Sequence, residues 1–197
     1  QKSTSTRLIR CLFEDSKGNI WIGIYGGLCS FNPINHNMEF VSDKHIKIKK
    51  FTSPSVVTED KEGRLIVGDD NGLYYYYPDK EKVWVPEIDA PHDERFHHTN
   101  NKYNCIYCDS RGMTWFGTHN GLNILEVENN TLRKMKAHSY GISNNIIMCI
   151  FEDQNHDIWL STTNGLNKIV VKKEKGEYHY SINSFNSNDG LMKGEYY

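Results

Sequence analysis

A unit of about 45 residues, repeated four times, limits what this chain can become more than any other feature. The first copy reads Glu14-Asp15-Ser16-Lys17-Gly18-Asn19-Ile20-Trp21-Ile22-Gly23 and ends in Gly27-Leu28. The second runs from Glu59-Asp60 through Gly63 and Leu65-Ile66-Val67-Gly68 to Asn71-Gly72-Leu73. Asp109, Gly112, Trp115-Phe116-Gly117 and Asn120-Gly121-Leu122 mark the third, and Glu152-Asp153, Ile158-Trp159-Leu160 and Asn164-Gly165-Leu166 the fourth. The tryptophan slot falls at Trp21, Ile66, Trp115 and Trp159, in steps of 45, 49 and 44 residues.

Each unit reads as strands. In the fourth, Met148-Cys149-Ile150-Phe151 meets the acidic turn Glu152-Asp153-Gln154-Asn155. A second apolar run, Ile158-Trp159-Leu160, then meets Asn164-Gly165, a dipeptide suited to the positive φ angles of a tight hairpin. A third strand follows from Leu166, and a fourth is expected near Glu39 to Val41, Val83 to Val85, Leu132 to Met135 and Tyr178 to Ile182. The first two strands are apolar at successive positions, so both faces of each small sheet must be covered. Small sheets covered on both faces at this period describe an all-β fold, a β-propeller of four blades with four antiparallel strands each.

The blades are expected at residues 7–50, 51–100, 101–143 and 144–183, with 184–197 as the start of a further blade. Asn188-Asp189-Gly190-Leu191 follows the preceding Gly-Leu too soon to be the same hairpin of a fifth unit. Four blades can close a small ring, but this phase favours a fragment of a larger propeller, whose cut faces would invite self-association.

Charge excludes one class of partner. With 23 Lys plus Arg against 25 Asp plus Glu, no global field draws the chain to nucleic acid or anionic lipid. There is no apolar run long enough to span a bilayer, and Gln1-Lys2-Ser3-Thr4-Ser5-Thr6 lacks the apolar stretch of a signal peptide. The chain also starts without Met, so compartment has to come from elsewhere.

An Asp-Gly turn, then Leu/Ile-Trp-Ile/Phe-Gly-Thr, then Asn-Gly-Leu resembles the two-component-regulator propeller repeat. Met113-Thr114-Trp115-Phe116-Gly117-Thr118-His119-Asn120-Gly121-Leu122 carries the match best, and His138 to Asn145 is similar to the loop before an inner strand. The resemblance covers nearly the whole chain. It implies the sensor ectodomain of a hybrid two-component regulator, a sensor histidine kinase from a polysaccharide-degrading bacterium. In that family two propellers, here taken as seven-bladed, stand in the periplasm beside an immunoglobulin-like module, ahead of a transmembrane helix, kinase, receiver and DNA-binding parts. No kinase, receiver or DNA-binding motif is present in this sequence. Departures are Ile66 for Trp, Asp69 for Thr, Cys108 for Glu, His156 for the turn Gly and Ser161 for the strand Gly.

Other chemistry reads weakly. Cys105 and Cys108 spell a C-x-x-C, but Cys11, Val56, Cys105 and Cys149 share one slot four residues before the turn Asp, which is a packing position. Three residues apart on a strand, Cys105 and Cys108 also point to opposite faces. Asp153, Asn155 and Asp157 have the spacing of calcium-loop ligands, yet Ile158 stands where such a loop needs Gly and Asn164 where it needs Glu. His92, His97 and His98 cluster in the insert 91–101, where adjacent histidines make a poor zinc set and a better polar loop. No acidic pair stands free of the structural turn, so no catalytic residue, metal or cofactor is expected.

Variable tips on a constant scaffold suit recognition. Propeller geometry gathers the hairpins between second and third strands with the loops leading into first strands. The ligand-binding candidates are therefore Tyr25, Asp70, His119, Asn120 and Thr163 on the hairpins, with His97, His98 and Asn144 on the lead-in loops. Their amides, hydroxyls and rings fit an oligosaccharide. A neighbouring propeller or a second copy is the other expected partner, and a propeller glycosidase or lyase the third reading.

Overall fold

The computed structural model describes residues 8–41, 51–70, 72–80, 82–84, 103–126, 131–135 and 137–192. They form four antiparallel four-stranded meanders in chain order. The first sheet holds β1 (Ile9–Glu14), β2 (Ile20–Ile24), β3 (Gly27–Asn32) and β4 (Asn37–Phe40), and the second β5 (Pro54–Glu59), β6 (Leu65–Asp69), β7 (Gly72–Tyr77) and β8 (Lys82–Trp84). The third holds β9 (Tyr103–Cys108), β10 (Thr114–Thr118), β11 (Gly121–Glu126) and β12 (Thr131–Met135), and the fourth β13 (Ile147–Glu152), β14 (Ile158–Thr162), β15 (Gly165–Glu174) and β16 (Glu177–Phe185). This is the blade architecture expected from the repeat. The chain divides into two compact units, Gln1–Lys102 and Tyr103–Tyr197, each with two sheets.

Within each unit the two sheets pack face to face through apolar side chains. In the first, Trp21 meets Tyr76 edge-on at 5.7 Å and Phe51 meets Tyr74 at 5.3 Å, over buried Leu28, Val57, Leu65 and Val67. In the second, Trp115, Leu122, Ile124, Ile147, Ile158 and Leu160 are buried in one cluster. β6 and β10 are buried along their whole length, as their unbroken apolar runs require.

The acidic turn that recurs in all four units is a hydrogen-bonding device. Asp15, Asp60, Asp109 and Asp153 each accept the backbone N–H two and four residues on, closing the turn between first and second strands. The second carboxylate oxygen takes the indole Nε1–H of the tryptophan six residues on, at 2.8 Å for Trp21, 2.9 Å for Trp115 and 2.8 Å for Trp159. Where Ile66 replaces the indole, the Arg64 guanidinium supplies the donor to Asp60. The spacing D-x5-W is thereby explained: the carboxylate fixes both a turn and the core residue beyond it.

Hairpins at the opposite edge are capped by the Gly-Thr threonine. Thr118 and Thr162 donate to the Gly121 and Gly165 carbonyls at 2.9 and 3.1 Å and accept the N–H of Asn120 and Asn164. The left-handed conformation falls on Gly121 and Gly165, not on the asparagines before them. That corrects the expectation for Asn164-Gly165: with Thr holding the Asn N–H, the loop is Thr163-Asn164 and the glycine after it absorbs the positive φ. Gly165 also has no room for a side chain, because a Cβ there would run into the Phe185 carbonyl.

Two features were absent from the sequence reading. Every first strand is bulged at one place, so that Arg10, Ser55, Asn104 and Met148 stand between paired neighbours. The last strand also runs further than expected. The turn at Lys175-Gly176, both at positive φ, sets a register in which Phe185 pairs with Leu166 and stacks on Trp159 at 5.8 Å. Ser184 and Phe185 thus complete the fourth sheet instead of opening a new unit. Beyond them Asn186 and Asp189 form a capping box around a short 3-10 turn ending at Gly190.

Candidate functional site

The hairpin tips and lead-in loops form two clusters, one in each unit. In the unit 103–197, the Gly121 N–H donates to the Asn145 carbonyl at 2.8 Å, bringing the His119-Asn120 tip against the lead-in loop of the fourth sheet. Asn164 approaches that loop from the other hairpin, its amide donating to the Ser143 carbonyl at 3.3 Å. Asn144 closes the loop by accepting the Ile146 N–H at 2.9 Å. His119, Asn120, Asn144 and Thr163 therefore share one edge, with His119, Asn120 and Asn164 exposed and Asn144 and Thr163 half-buried.

A polar network beneath this edge holds it in place. Asn167, fully buried, accepts the Ser143 N–H at 2.8 Å, donates to the Ser143 hydroxyl at 2.9 Å and accepts the Ser184 hydroxyl at 2.7 Å. Ser143 also shares a hydrogen bond with Thr162 at 2.8 Å. Such a network rigidifies a loop because every member would be costly to leave unmade.

In the unit 1–102 the arrangement differs. The Gly26 N–H donates to the Thr52 carbonyl at 2.6 Å, seating the Tyr25-Gly26 tip on the lead-in of the second sheet. Tyr25 projects outward with two-thirds of its surface exposed. Asp69, standing where the third and fourth units have Thr, is buried and accepts Thr52 N–H at 2.9 Å, Thr52 hydroxyl at 2.8 Å and Ser53 N–H at 2.8 Å. Burial, with the Asp69 carboxylate adding to it, pushes the Tyr74 hydroxyl up and keeps it protonated. Asp70 lies 3.8 Å from the guanidinium of the bulged Arg10, which also donates to Ser53 at 2.8 Å. Asp70 is thus within ion-pair range of Arg10 but takes no hydrogen bond from it, and 43% of its side chain is exposed.

Sequence reasoning missed Arg10, Asp69 and Asn167. Only Asp69 carried a signal, as the departure from Thr in the Gly-Thr slot. His97 and His98 lie outside the described residues. Cys105 sits in its packing slot with burial, and after it Cys149, pushing its thiol up to about 12. Asp153 accepts Trp159 and two backbone N–H groups, and Asp157 pairs with Lys168 at 2.8 Å, which is turn chemistry. Among the described residues no group of three His, Cys, Asp or Glu is placed to hold a metal ion, and no helix is long and apolar enough to cross a membrane.

Apolar side chains also reach solvent on two sheet faces. Leu8, Ile9 and Leu12 are exposed on and beside β1, whereas Val57, Ile106 and Ile150, the equivalents of Leu12, are buried. On the fourth sheet Phe151 is exposed and stacks on Trp159 at 6.5 Å.

Comparison with known proteins agrees with this architecture. A family model described as the two component regulator propeller matches residues 4–26, 98–120 and 141–164. The extracellular domain assigned to the hybrid two component system BT3049 from B. thetaiotaomicron superposes with a TM-score of 0.73 at 22% identity, covering 96% of this chain and 24% of that one. The corresponding domain of BT4673 from the same organism gives 0.68 at 23% identity, covering 85% and 20%. This chain thus spans a quarter or less of those proteins' length. A virginiamycin B lyase from Staphylococcus aureus shares the fold at 0.60 and 15% identity, over 87% of this chain and 54% of that one. No curated protein matches the chain. Three stretches of the chain thus match the two component regulator propeller repeat, and its fold is shared with those extracellular domains.

Proposed function

We propose that the chain is a non-catalytic part of the periplasmic sensor of a hybrid two-component regulator, and that its exposed hairpin tips contact an oligosaccharide. The observation that carries this reading is the contrast between fixed and free groups at the hairpins of each unit. Thr118, Thr162, Asp69 and Asn167 are committed to closing loops, while Tyr25, His119 and Asn120 project from them into solvent. In the first unit the exposed Tyr25 ring suits stacking on a sugar face, and in the second the His119 and Asn120 side chains suit hydrogen bonding to sugar hydroxyls. Occupancy would then bias the orientation of this propeller against its neighbours, and only a difference in affinity between two orientations can drive a signal.

The test is a thermal-shift titration of defined oligosaccharides against the longest ectodomain containing this chain, with Tyr25→Ala and His119→Ala alongside. Ligand that binds the native state alone raises the melting temperature. A shift lost in either variant supports the proposal, and a shift unchanged in both removes these residues from the site. The second reading, a docking scaffold for a neighbouring blade or a second copy, is favoured by the exposed Leu8, Ile9 and Leu12. Sedimentation of the chain with Leu12→Glu distinguishes it, since that change should abolish association and leave sugar binding alone.

A further inference from the structure

We infer that the first sheet of one copy of this chain docks on the fourth sheet of another, head to tail, through the same contact that joins the two sheets within each unit. The inference rests on the docking reading above and gives it one partner and one geometry.

That contact is formed once in each unit. The leading sheet contributes its tryptophan and two first-strand side chains: Trp21 with Cys11 and Phe13, or Trp115 with Cys105 and Tyr107. The following sheet contributes its own first strand through Pro54 and Val57, or Ile147 and Ile150, all of them buried. A serine and a glutamate close the rim. Glu59 accepts the Ser16 N–H at 2.7 Å and its hydroxyl at 3.0 Å, and Glu152 accepts the Ser110 N–H at 2.8 Å and its hydroxyl at 2.5 Å.

Each half of the contact recurs once with its face open to solvent. In the first sheet Ile9, Leu12 and Glu14 stand at the positions of Pro54, Val57 and Glu59, and all three are exposed, Ile9 by 58% and Leu12 by 65%. In the fourth, Phe151 and Trp159 stand at the positions of Tyr107 and Trp115. Phe151 is 51% exposed and Trp159 half-buried, and the stacked rings of Phe151, Trp159 and Phe185 make a flat aromatic face. Exposed Gln154 occupies the serine position and offers a backbone N–H and a side-chain amide, both of which Glu14 of a second copy can accept. Like on like does not reproduce this pairing. Two first sheets supply two carboxylates and no donor, and two fourth sheets supply donors while Glu152 is already taken by Ser110. The pattern therefore specifies a heterologous contact, which two different faces on one chain can pass from copy to copy.

One residue opposes close docking. At Gly23 and Gly117 the following sheet comes so near that a Cβ would stand 2.6 Å from the Pro54 carbonyl oxygen and 2.8 Å from Ile147 Cγ2, and the fourth sheet has Ser161 in that slot. Its side chain would meet Ile9 of the docked copy and weaken the contact without changing its partners.

Sedimentation velocity of the native chain and its variants tests this. The native chain should associate as its concentration is raised. Leu12→Glu and Phe151→Glu, both at exposed positions outside the core, should each be monomeric alone, having lost one face apiece. Mixed in equal amounts they should form a pair that grows no further, because the first variant keeps its fourth sheet and the second keeps its first. Glu14→Ala should weaken the native association about tenfold by removing a charged acceptor. Ser161→Gly, which restores the residue of the other three sheets, should strengthen it about fivefold. A native chain that stays monomeric overturns the inference and leaves both faces to other occupants. Association that survives in Leu12→Glu removes the docking reading as well. Association lost there but kept in Phe151→Glu retains that reading and overturns the head-to-tail geometry, as does a mixture of the two variants that does not pair.

Discussion

Cys149 and Ser161 face each other across β13 and β14, in the slot where the first sheet pairs Cys11 with Gly23 and the third pairs Cys105 with Gly117. The glycines are there because the next sheet comes close. A Cβ on Gly117 would lie 2.8 Å from Ile147 Cγ2, and one on Gly23 would lie 2.6 Å from the Pro54 carbonyl. At Ser161 the side chain is present, its hydroxyl is buried without a hydrogen-bond partner among the described residues, and Cys149 is exposed.

Substitutions at this slot should therefore have opposite signs in the third and fourth sheets. Gly117→Ala forces Ile147 or Cys105 to move and should cost about 1–3 kcal/mol. Ser161→Ala removes an orphan hydroxyl and should be neutral or stabilising by up to about 1 kcal/mol. Urea midpoints of the two variants decide it, and equal losses at both positions would contradict the close-approach account.

The same slot sets thiol reactivity. Cys149 is exposed, whereas burial, and then Cys149 itself, pushes the Cys105 thiol up to about 12. A maleimide at pH 8 should label Cys149 and spare Cys105, since only the thiolate attacks. Peptide mapping after brief alkylation reads the ratio.

Asp109 is 2% exposed and holds the turn, the Arg111 guanidinium and the Trp115 indole together. Asp109→Asn places an amide N–H₂ against donors and should cost about 2–3 kcal/mol. Asp60→Asn should cost less, because Arg64 can turn outward to water and no indole is left unpaired. Denaturation followed by tryptophan emission compares them.

Acid should unfold the chain through these same turns. Burial pushes Asp15 up, but the Trp21 indole, the Asn19 amide and two backbone N–H groups outweigh it, so its folded value lies below the ordinary 3.8. Asp153 is lowered chiefly by the Trp159 indole. A carboxylate depressed on folding contributes stability above its unfolded value and loses it as pH falls through the lower folded value. Stability should drop from about pH 4 downward, and Asp15→Asn should make that drop shallower. Guanidinium midpoints between pH 5 and 2.5 measure it.

The repeat and its blades were legible because the turn Asp, the indole and the Gly-Leu pair recur as identical letters at a fixed spacing. The bulges were not, because Arg10, Ser55, Asn104 and Met148 share no chemistry and an extra residue leaves no trace in an apolar run. The extension of β16 to Phe185 depended on a turn at Lys175-Gly176 that lies outside the shared pattern. Tyr25, His119, Asn120, Asn144 and Thr163 could be placed on loops from the sequence. The engagement of Asp70 by Arg10 could not, since it joins two sheets through a side chain that only the bulge aims correctly.

The Asp-to-indole closure spans six residues and takes nothing from any other part of the chain. A contact of such short range forms at little loop-closure cost, and the Asp60–Arg64 pair of the second sheet is shorter still, so each first hairpin can assemble early and alone, before any sheet meets its neighbour. Folding then becomes a matter of docking preformed hairpins. The length of chain between one closure and the next can vary, as the steps of 45, 49 and 44 residues do here, without disturbing the nucleus on either side.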